Sequence, residues 1–447
     1  MIEEKGIRKI CEAVLQRCKG AQAEVLVGAS DSALTRFANN IIHQNVAERD
    51  VQVTLRFMLG KHIGTVTTNR SDEVALDALV ANARAYAKAS PEDPDYPGLP
   101  EPATYGRVDA FDLPTQEYSP EARARAIAPL CRLAAEKKLN ASGAFTTGAS
   151  EFAVANTRGV FAYHAVTNAD FQTVVMGADA SGRAQGSDWK AGAIPVEKLG
   201  QDAILTAERG KAPRKIEPGE YTVVFEHYVT EDLLLSLNFY GMGAQALLEG
   251  RSWMNDRLGQ KVMSEKVSIW DDGLDPAGSP LPFDFEGVPK QRVDIVKDGV
   301  ALGPVYDRYT GAKAGKPGTG HALPPEMRGF GPVAANLFMG TGESSVEEMI
   351  RSTERGIYVN RFWYTRLVHP RDCVVTGMTR DGVFMIENGE LSYPVKNLRF
   401  TMPYLTVLAN VEAVGEQSHL LLGEYGGLAS RVPALKVQGF NFSGSTV

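Results

Sequence analysis

Residues 372–391, DCVVTGMTRDGVFMIENGEL, decide the class of fold. Two runs of β-branched and other apolar residues alternate here with glycine-containing segments, a pattern typical of short strands joined by tight turns. Similar runs recur at YTVVFE (221–226), VSIWDDG (267–273), RVDIVKDGV (292–300) and LTVLANVEAVG (405–415). We therefore predict that residues 215–447 form a large, mostly antiparallel, barrel-like β-rich domain. Helices are expected to interrupt it at about 229–249 and at SSVEEMIRST (344–353).

Residues 1–105 predict a separate N-terminal α/β domain. GIRKICEAVLQRC (6–18) has the apolar spacing of a helix, and AEVLVGAS (23–30) and DVQVTLRFML (50–59) are strand-like. Gly60 and Lys61 are expected to make the hairpin turn into HIGTVTT (62–68). A helix is predicted over 71–90, with Ser71 as its N-cap and Pro91 as its stop.

We predict that residues 106–214 form a middle α/β segment. Together with the N-terminal α/β domain and the β-rich C-terminal domain, this segment gives the whole chain an expected α+β architecture. The proline-rich stretch PEDPDYPGLPEP (91–102) indicates a stiff linker before it. SPEARARAIAPLCRLAAEKK (119–138) is typical of a helix with Pro120 in its first turn, and NTRG (156–159) of a hairpin turn.

Composition argues against several classes of protein. The net charge is −7 and no long Lys/Arg run occurs, so a nucleic-acid partner is not expected. The four cysteines, Cys11, Cys18, Cys131 and Cys373, form no CxxC pair, and free thiols fit a reducing cytoplasm. MIEEKGIRKI has no apolar signal region, and no apolar run approaches about 20 residues. We expect a cytoplasmic protein without a membrane span.

Local motifs name no reaction. No two histidines have the spacing of about four that a metal-binding helix requires. His227 and Glu231 lie one turn apart, but a helix that starts at the N-cap Thr230 explains them more simply. GAKAGKPGTGH (311–321) departs from the phosphate-loop pattern and is expected to be a mobile surface loop or flap.

His369 and Cys373 form the one candidate thiol–imidazole pair in the sequence. Such a pair acts as a nucleophile only when the thiol is accessible and its pKa is low. Because Cys373 opens the apolar run CVVTG, burial as a small hydrophobic residue is favoured. A self-sufficient thiol hydrolase remains an alternative.

Several blocks, in this order, resemble the TldD/TldE peptidase family, whose TldE branch is also called PmbA. The resemblance runs from about residue 22 to the end of the chain. Its blocks are LTRFANNIIHQN (34–45), RFMLGKHIGTVTTN (56–69), GRSWMNDRLGQKVMSEKVSIWDDG (250–273), YDRYTGAKAGKPGTGHALP (306–324), NLFMGTGESSVEEMI (336–350) and GVFMIENGELSYPVKNLR (382–399).

The resemblance implies where a zinc site would lie. The TldD branch carries His-Glu-x-x-x-His on a helix, and a cysteine near the C-terminus completes the site. Counting back from Ser252 places these helix positions at Leu235, Ser236 and Tyr240, which supply neither imidazole nor carboxylate. The family cysteine would fall near Gly423 to Gly426, where this chain has none. Both halves of the zinc site are therefore degenerate.

This pattern resembles the TldE branch. The resemblance implies that the chain binds no cofactor itself and pairs with a TldD-type homologue that holds the zinc. The pair would process small or unfolded peptides, which could add as a strand to a sheet edge. A homodimeric peptide-binding or scaffold protein without catalysis is the other alternative. The family's association with DNA gyrase gives no basis for DNA contact in this acidic chain.

Overall fold

The computed structural model describes residues 1–423 and 428–445. The helices are α1 (Glu3–Arg17), α2 (Glu73–Ala89), α3 (Leu113–Gln116), α4 (Pro120–Glu136), α5 (Val196–Arg209), α6 (His227–Leu237), α7 (Ala244–Leu248), α8 (Arg308–Ala314), α9 (Val346–Arg351) and α10 (Tyr404–Ala409). Short 3₁₀ segments cover Ala191–Ala193 and Pro325–Phe330, and a π-helical turn covers Asn238–Met242.

The strands of the N-terminal half are β1 (Gln22–Ala38), β2 (Ile41–Leu59), β3 (His62–Thr68), β4 (Asn140–Asn156), β5 (Phe161–Met176) and β6 (Ser181–Asp188). Those of the C-terminal half are β7 (Gly219–Phe225), β8 (Ile269–Asp271), β9 (Val293–Lys297), β10 (Val300–Ala301), β11 (Asn336–Met339), β12 (Arg355–His369), β13 (Val374–Glu387), β14 (Glu390–Pro394), β15 (Leu398–Pro403), β16 (Val411–Leu422) and β17 (Ala429–Ser445).

In the described part of the chain, the first six strands form one antiparallel sheet in the order β3-β2-β1-β4-β5-β6. Helices α1 and α2 pack on it through Ile7, Val14 and Leu79, which surround Phe57. Helices α4 and α5 cover a second apolar cluster that contains Phe145. The sheet draws three strands from residues 1–105 and three from residues 106–214. The domain division at 105 and 214 stays a prediction.

The later strands form a large mixed sheet, which confirms the predicted α+β class. Among the described strands, β17-β15-β13-β12-β7 are hydrogen-bonded in sequence, and β7 pairs back with β17, so these strands close on themselves as a barrel does. β11–β17 and β12–β7 are parallel pairs. Phenylalanines from this ring contact one another in the core: Phe225, Phe362, Phe400, Phe440 and Phe442.

The hairpin turn at Gly60 and Lys61, the turn at 156–159 and Pro120 in the first turn of α4 are confirmed. Two predicted N-caps are wrong. Asp72, not Ser71, caps α2, because its carboxylate accepts the backbone N–H of Ala75 at 3.1 Å. Helix α6 begins at His227, so Thr230 lies inside it.

Two predicted strands also differ from the structure. Most of DCVVTGMT and of GVFMIENGEL belongs to one long strand, β13, whose pairing with β12 is irregular near Arg380. Glu390 and Leu391 already belong to β14. LTVLANVEAVG begins as helix α10 and becomes strand only at Val411. The predicted helix over 229–249 is broken by the π-helical turn, and α8 occupies part of the predicted loop 311–321.

Across the ranges 1–423 and 428–445, no helix combines the length and the apolar character that a membrane span requires.

Candidate functional site

The segment from α6 to α7 carries the positions at which a zinc helix was expected. Gly241 lies against Trp253: a Cβ at Gly241 would be 2.1 Å from Trp253 Cδ1. The indole Nε1–H of Trp253 donates to the carbonyl of Leu237 at 3.0 Å, and the Ser252 hydroxyl donates to that of Gly241 at 2.6 Å. These bonds tie the π-helical turn to the segment that carries Ser252 and Trp253.

Leu235, Ser236 and Tyr240 are half-buried, whereas Leu234 and Leu237 on the same helix are fully buried. Leu235 and Ser236 therefore lie on the side of α6 that turns away from the core, and Tyr240 lies in the π-helical turn that follows. Gly423, at the end of β16, meets this side: a Cβ there would be 3.1 Å from Leu235 Cδ1 and 3.6 Å from Glu231 Oε1. The other positions predicted for a family cysteine, 424–426, lie outside the described residues.

The side chains at these positions do not fit the zinc set that the resemblance implies. Leu235 and Gly423 offer no donor atom, and a neutral serine hydroxyl is a poor zinc ligand. Burial raises the pKa of Tyr240, and Cys373 raises it further, so its phenol stays protonated. No group of three or more His, Cys, Asp or Glu side chains in the described residues could hold a metal ion.

A small cavity of about 140 Å³ adjoins this side of α6. Glu231, Asp232 and Leu235 line it from the helix, and Phe362, Trp363 and Tyr364 line it from β12. Asp232 accepts hydrogen bonds from the hydroxyls of Tyr404 at 2.7 Å and Thr365 at 2.8 Å. These bonds hold the carboxylate in place between α6, β12 and α10.

His227 is bonded to Glu226 rather than to Glu231. Its Nδ1 lies 3.1 Å from Glu226 Oε2, and the Tyr358 hydroxyl donates to Glu226 Oε1 at 3.0 Å. Burial favours a higher pKa for Glu226, but the bonds from His227 and Tyr358 bring it below its usual range. The ring of His419 stacks on His227 at 4.1 Å between centroids.

The pKa of His419 is lowered to about 4, first because the surrounding protein desolvates the ring and then because His227 is close. Sequence reasoning missed this cluster because Glu226, Tyr358 and His419 come from distant parts of the chain. No local spacing signals their meeting.

A larger cleft of about 850 Å³ contains the Glu226–His227–His419 cluster. One wall is formed by β6 and α5 of the N-terminal half, and the other by β16 and the region around α9. Clefts of about 300–1,000 Å³ accommodate small molecules and short peptide segments.

The structure does not favour the thiol–imidazole alternative. Cys373 is fully buried, and burial, followed by the nearby Asp232 charge, raises the pKa of its thiol to about 12. His369 lies in contact with Asp372, at 3.3 Å from Nδ1 to Oδ2. An accessible thiolate of low pKa, which the dyad needs, is not provided here.

Thr319, His321 and Asp271 have the order of a hydroxyl–imidazole–carboxylate relay. His321 lies 2.9 Å from the Thr319 hydroxyl and 2.8 Å from Asp271 Oδ1. However, the same hydroxyl accepts the N–H of Tyr306 at 2.8 Å, and both His321 and Asp271 are buried at about 1% exposure or less. The arrangement therefore ties the 306–321 loop to β8.

Comparison with known proteins identifies the family. Residues 218–444 match a model described as the PmbA/TldA metallopeptidase C-terminal domain, and residues 23–87 match PmbA/TldA metallopeptidase domain 1. Because the first match covers more than half of the chain, the protein belongs to the PmbA/TldD metallopeptidase family.

Three relatives show how far this likeness extends. A metalloprotease of Methanothermobacter thermautotrophicus is 26% identical over 243 residues, 53% of this chain and only about half (52%) of that protein. A metalloprotease PmbA homolog of Haemophilus influenzae is 26% identical over 427 residues, 89% of this chain and 88% of that protein. The crystal structure of TldE from Thermococcus kodakarensis has the same fold, with a TM-score of 0.88 at 18% identity over 98% of this chain and 100% of that one.

Proposed function

We propose that this chain is the TldE/PmbA-like subunit of a TldD/TldE-type metallopeptidase that processes small or unfolded peptides. It holds no zinc itself and depends on a TldD-type partner for catalysis. The observation that carries the proposal is the contact between Gly423 and Leu235. Two distant segments meet where the family resemblance places zinc ligands, and neither Leu235 nor Gly423 has a donor atom that could bind the metal.

The chemistry of peptide hydrolysis supports dependence on a partner. A zinc peptidase needs a metal to polarise the carbonyl and a base to take a proton from water. Ser236 stands where the resemblance places the base, and a serine hydroxyl cannot fill that role without its own activating base. In this proposal the chain contributes binding surface rather than reacting groups.

The surface beside the degenerate helix supports a protein partner on this side. Phe239 and Phe330 contact each other at 6.5 Å between ring centroids, and Phe330 is 60% exposed. Tyr364, which lines the small cavity, is 64% exposed. Exposed aromatic residues are enriched at protein–protein interfaces.

Reconstitution tests the proposal. The purified chain is assayed for hydrolysis of an unfolded peptide, alone and after addition of a metal-bearing TldD-type homologue. We expect no hydrolysis by the chain alone. With the homologue present, we expect hydrolysis that a chelator abolishes and that exceeds the activity of the homologue alone.

Two outcomes contradict the proposal. Hydrolysis by the lone chain that survives the chelator and is lost in Cys373→Ala would assign a thiol hydrolase. Peptide binding or homodimerisation without turnover under any pairing would assign a binding or scaffold protein. A variant of the homologue that lacks its zinc ligands is the control, and it should give no hydrolysis if the partner carries the catalytic zinc.

A further inference from the structure

The large cleft is bordered by edge strands of both sheets, β6 of the N-terminal sheet and β16 of the C-terminal sheet. β6 is the last strand of the N-terminal sheet, and β17 is the one described strand with which β16 pairs. Residues 183–188 of β6 and 415–420 of β16 both line the cleft. A strand edge presents unpaired backbone N–H and C=O groups, which proteins normally cover.

The edge of β6 is covered by side chains. The backbone N–H of Gln185 donates to the Tyr228 hydroxyl at 2.9 Å, and that hydroxyl lies 3.2 Å from the Gln185 carbonyl. Asn360 donates through Nδ2 to the carbonyl of Arg183 at 3.2 Å. The outward backbone groups of Gln185 and the carbonyl of Arg183 are therefore already bonded where a further strand would have to pair.

Within the described residues, the edge of β16 is hydrogen-bonded at its two ends. At one end, Gly342 donates its N–H to Gly415, and Glu416 donates its own to Ser344, at 2.9 and 3.0 Å. Segment 342–344 thus already lies along this edge in a short parallel bridge. At the other end, Leu422 donates its N–H to Ser187 Oγ at 3.2 Å.

Between these ends, strand geometry fixes where the backbone groups point. The carbonyl of Leu422 also points outward, because it accepts Gln185 Nε2 at 3.1 Å. Pairing with β17 is regular from Ser418 to Leu422, and outward-pointing positions alternate along a strand. Ser418 and Leu420 therefore direct their N–H and C=O away from β17. Pro433, which lacks an N–H, lies opposite Ser418 and fits this register.

In the described ranges, no residue hydrogen-bonds to these outward backbone groups of Ser418 and Leu420. The stretch between these bonded ends, from Gln417 to Leu421, spans about 13 Å at roughly 3.3 Å per residue. The edge is thus open over the length of a short strand, and it faces a cleft with room for one.

We infer that an extended peptide segment binds in this cleft by adding as a strand to the outer edge of β16, at Ser418 and Leu420. The backbone pattern itself selects the occupant, since alternating N–H and C=O groups are complementary only to another extended chain. Leu205 of α5, which is 50% exposed, and Ile350 of α9 offer apolar wall surface to its side chains. The inference rests on the proposed function only for the class of substrate, and it places the peptide on this chain.

A backbone-modified peptide tests this without altering the protein. Fluorescein-labelled, proline-free octapeptides are titrated into the full-length chain without any partner, and fluorescence anisotropy is measured. Two series of peptides carry N-methyl groups on every second amide. In one series the methyl groups replace the N–H groups that would face β16, and in the other they replace the N–H groups that would face away from it. We expect at least about a tenfold loss of affinity in one register only, since two hydrogen bonds are removed.

Variants of Ser418 provide the matched protein test. Ser418→Pro removes the outward N–H at a position where an edge strand tolerates proline. Ser418→Ala keeps that N–H and removes only the hydroxyl that accepts Arg431 Nε at 3.1 Å. We expect the proline variant to weaken binding at least about fivefold and the alanine variant to bind like wild type. Amide hydrogen exchange should slow at residues 418 and 420 when the peptide is added.

Equal effects of both N-methyl registers, or no binding of the unmodified peptides, would overturn the inference even if Ser418→Pro fails to fold. If dimerisation of the chain at higher protein concentration displaces the peptide, the β16 edge binds a second copy of the chain. That result would also overturn the inference. Register-dependent binding without partner-dependent hydrolysis would refute the proposed function alone. Hydrolysis with the partner but no binding to β16 would refute this inference alone.

Discussion

Cys373 illustrates how surroundings decide the chemistry of a residue. In the sequence it follows a histidine by four residues, but the fold buries it completely and raises its thiol pKa to about 12. Cys11, Cys18 and Cys131 are buried as well. A thiol with so high a pKa and no access to solvent is inert as a nucleophile.

We therefore predict that a chromogenic disulfide reagent at pH 8 modifies none of the four cysteines of the native chain. After denaturation it should modify all of them, which serves as the internal control. Rapid stoichiometric modification at Cys373 in the native protein would instead support the thiol alternative.

His419 carries a pH dependence of stability. Its pKa in the folded chain is lowered to about 4 from an ordinary value of 6.5. A histidine with a depressed pKa contributes full stability above the ordinary value, and the contribution is lost as pH falls from about 6.5 toward 4. We predict that the melting temperature of the wild-type chain decreases as the pH falls over this range. In the His419→Gln variant the melting temperature should decrease less steeply. The exposed His43→Gln is the control, and an equal effect of both variants would contradict the assignment.

At the level of single residues, the sequence led to part of the site. The order of family blocks placed Leu235, Ser236 and Tyr240, and the structure brings Gly423 against Leu235. The Glu226–His227–His419 cluster could not be predicted, since its members meet only when β16 folds beside α6 and β12. Hydrogen-bond partners across such distances leave no periodic pattern in a sequence.

Among elements, turns and helix stripes were predictable, whereas strand continuity was not. Gly60–Lys61 and Pro120 act through local backbone geometry, so the sequence is sufficient to place them. In β13 the TRDG segment has turn-forming residues, yet Asp381 takes a positive φ of 53° inside a continuous strand. Residues 404–409 have strand-like composition but form α10, where Tyr404 reaches Asp232. Tertiary contacts overrode local preference in both cases.

The π-helical turn after α6 gives a prediction about an element. Gly241→Ala would place a Cβ 2.1 Å from Trp253 Cδ1, which forces the fully buried indole or the turn to move. Overpacking of this kind costs about 1–3 kcal/mol in the free energy of unfolding. Gly303→Ala is the control, because no heavy atom lies within 4 Å of the added Cβ. Urea denaturation should separate the two variants, and equal stability would show that the turn is not constrained by Trp253.

At the scale of the whole molecule, a buried charge cluster joins the two halves. Glu24 of β1 accepts hydrogen bonds from Arg56 of β2 and Arg328 of the 325–330 segment, each at 2.9 Å. Arg328 also bonds Glu286 at 2.9 Å. Burial favours a higher pKa for Glu24, but the two arginines bring it below its usual range. The sequence could not indicate this cluster, whose members lie far apart along the chain.

We predict that Glu24→Ala lowers the free energy of unfolding by about 3–5 kcal/mol, because it leaves buried arginine charge unpaired. Asp31→Ala, which removes a partner of the exposed Arg49, should cost less than about 1 kcal/mol. Urea unfolding of both variants measures the difference. Similar losses would mean that the cluster does not hold the two halves together.

We propose that this chain holds no zinc at the positions where the family resemblance places the metal. The most direct measurement is the zinc content of the full chain, purified alone and passed through gel filtration in zinc-containing buffer. We expect far less than one zinc per chain. Tyr240→Phe, which removes one of the two hydroxyl groups at positions 235, 236 and 240, should leave this zinc content unchanged. One tightly bound zinc per chain, lost when Tyr240 or Glu231 is replaced, would contradict it.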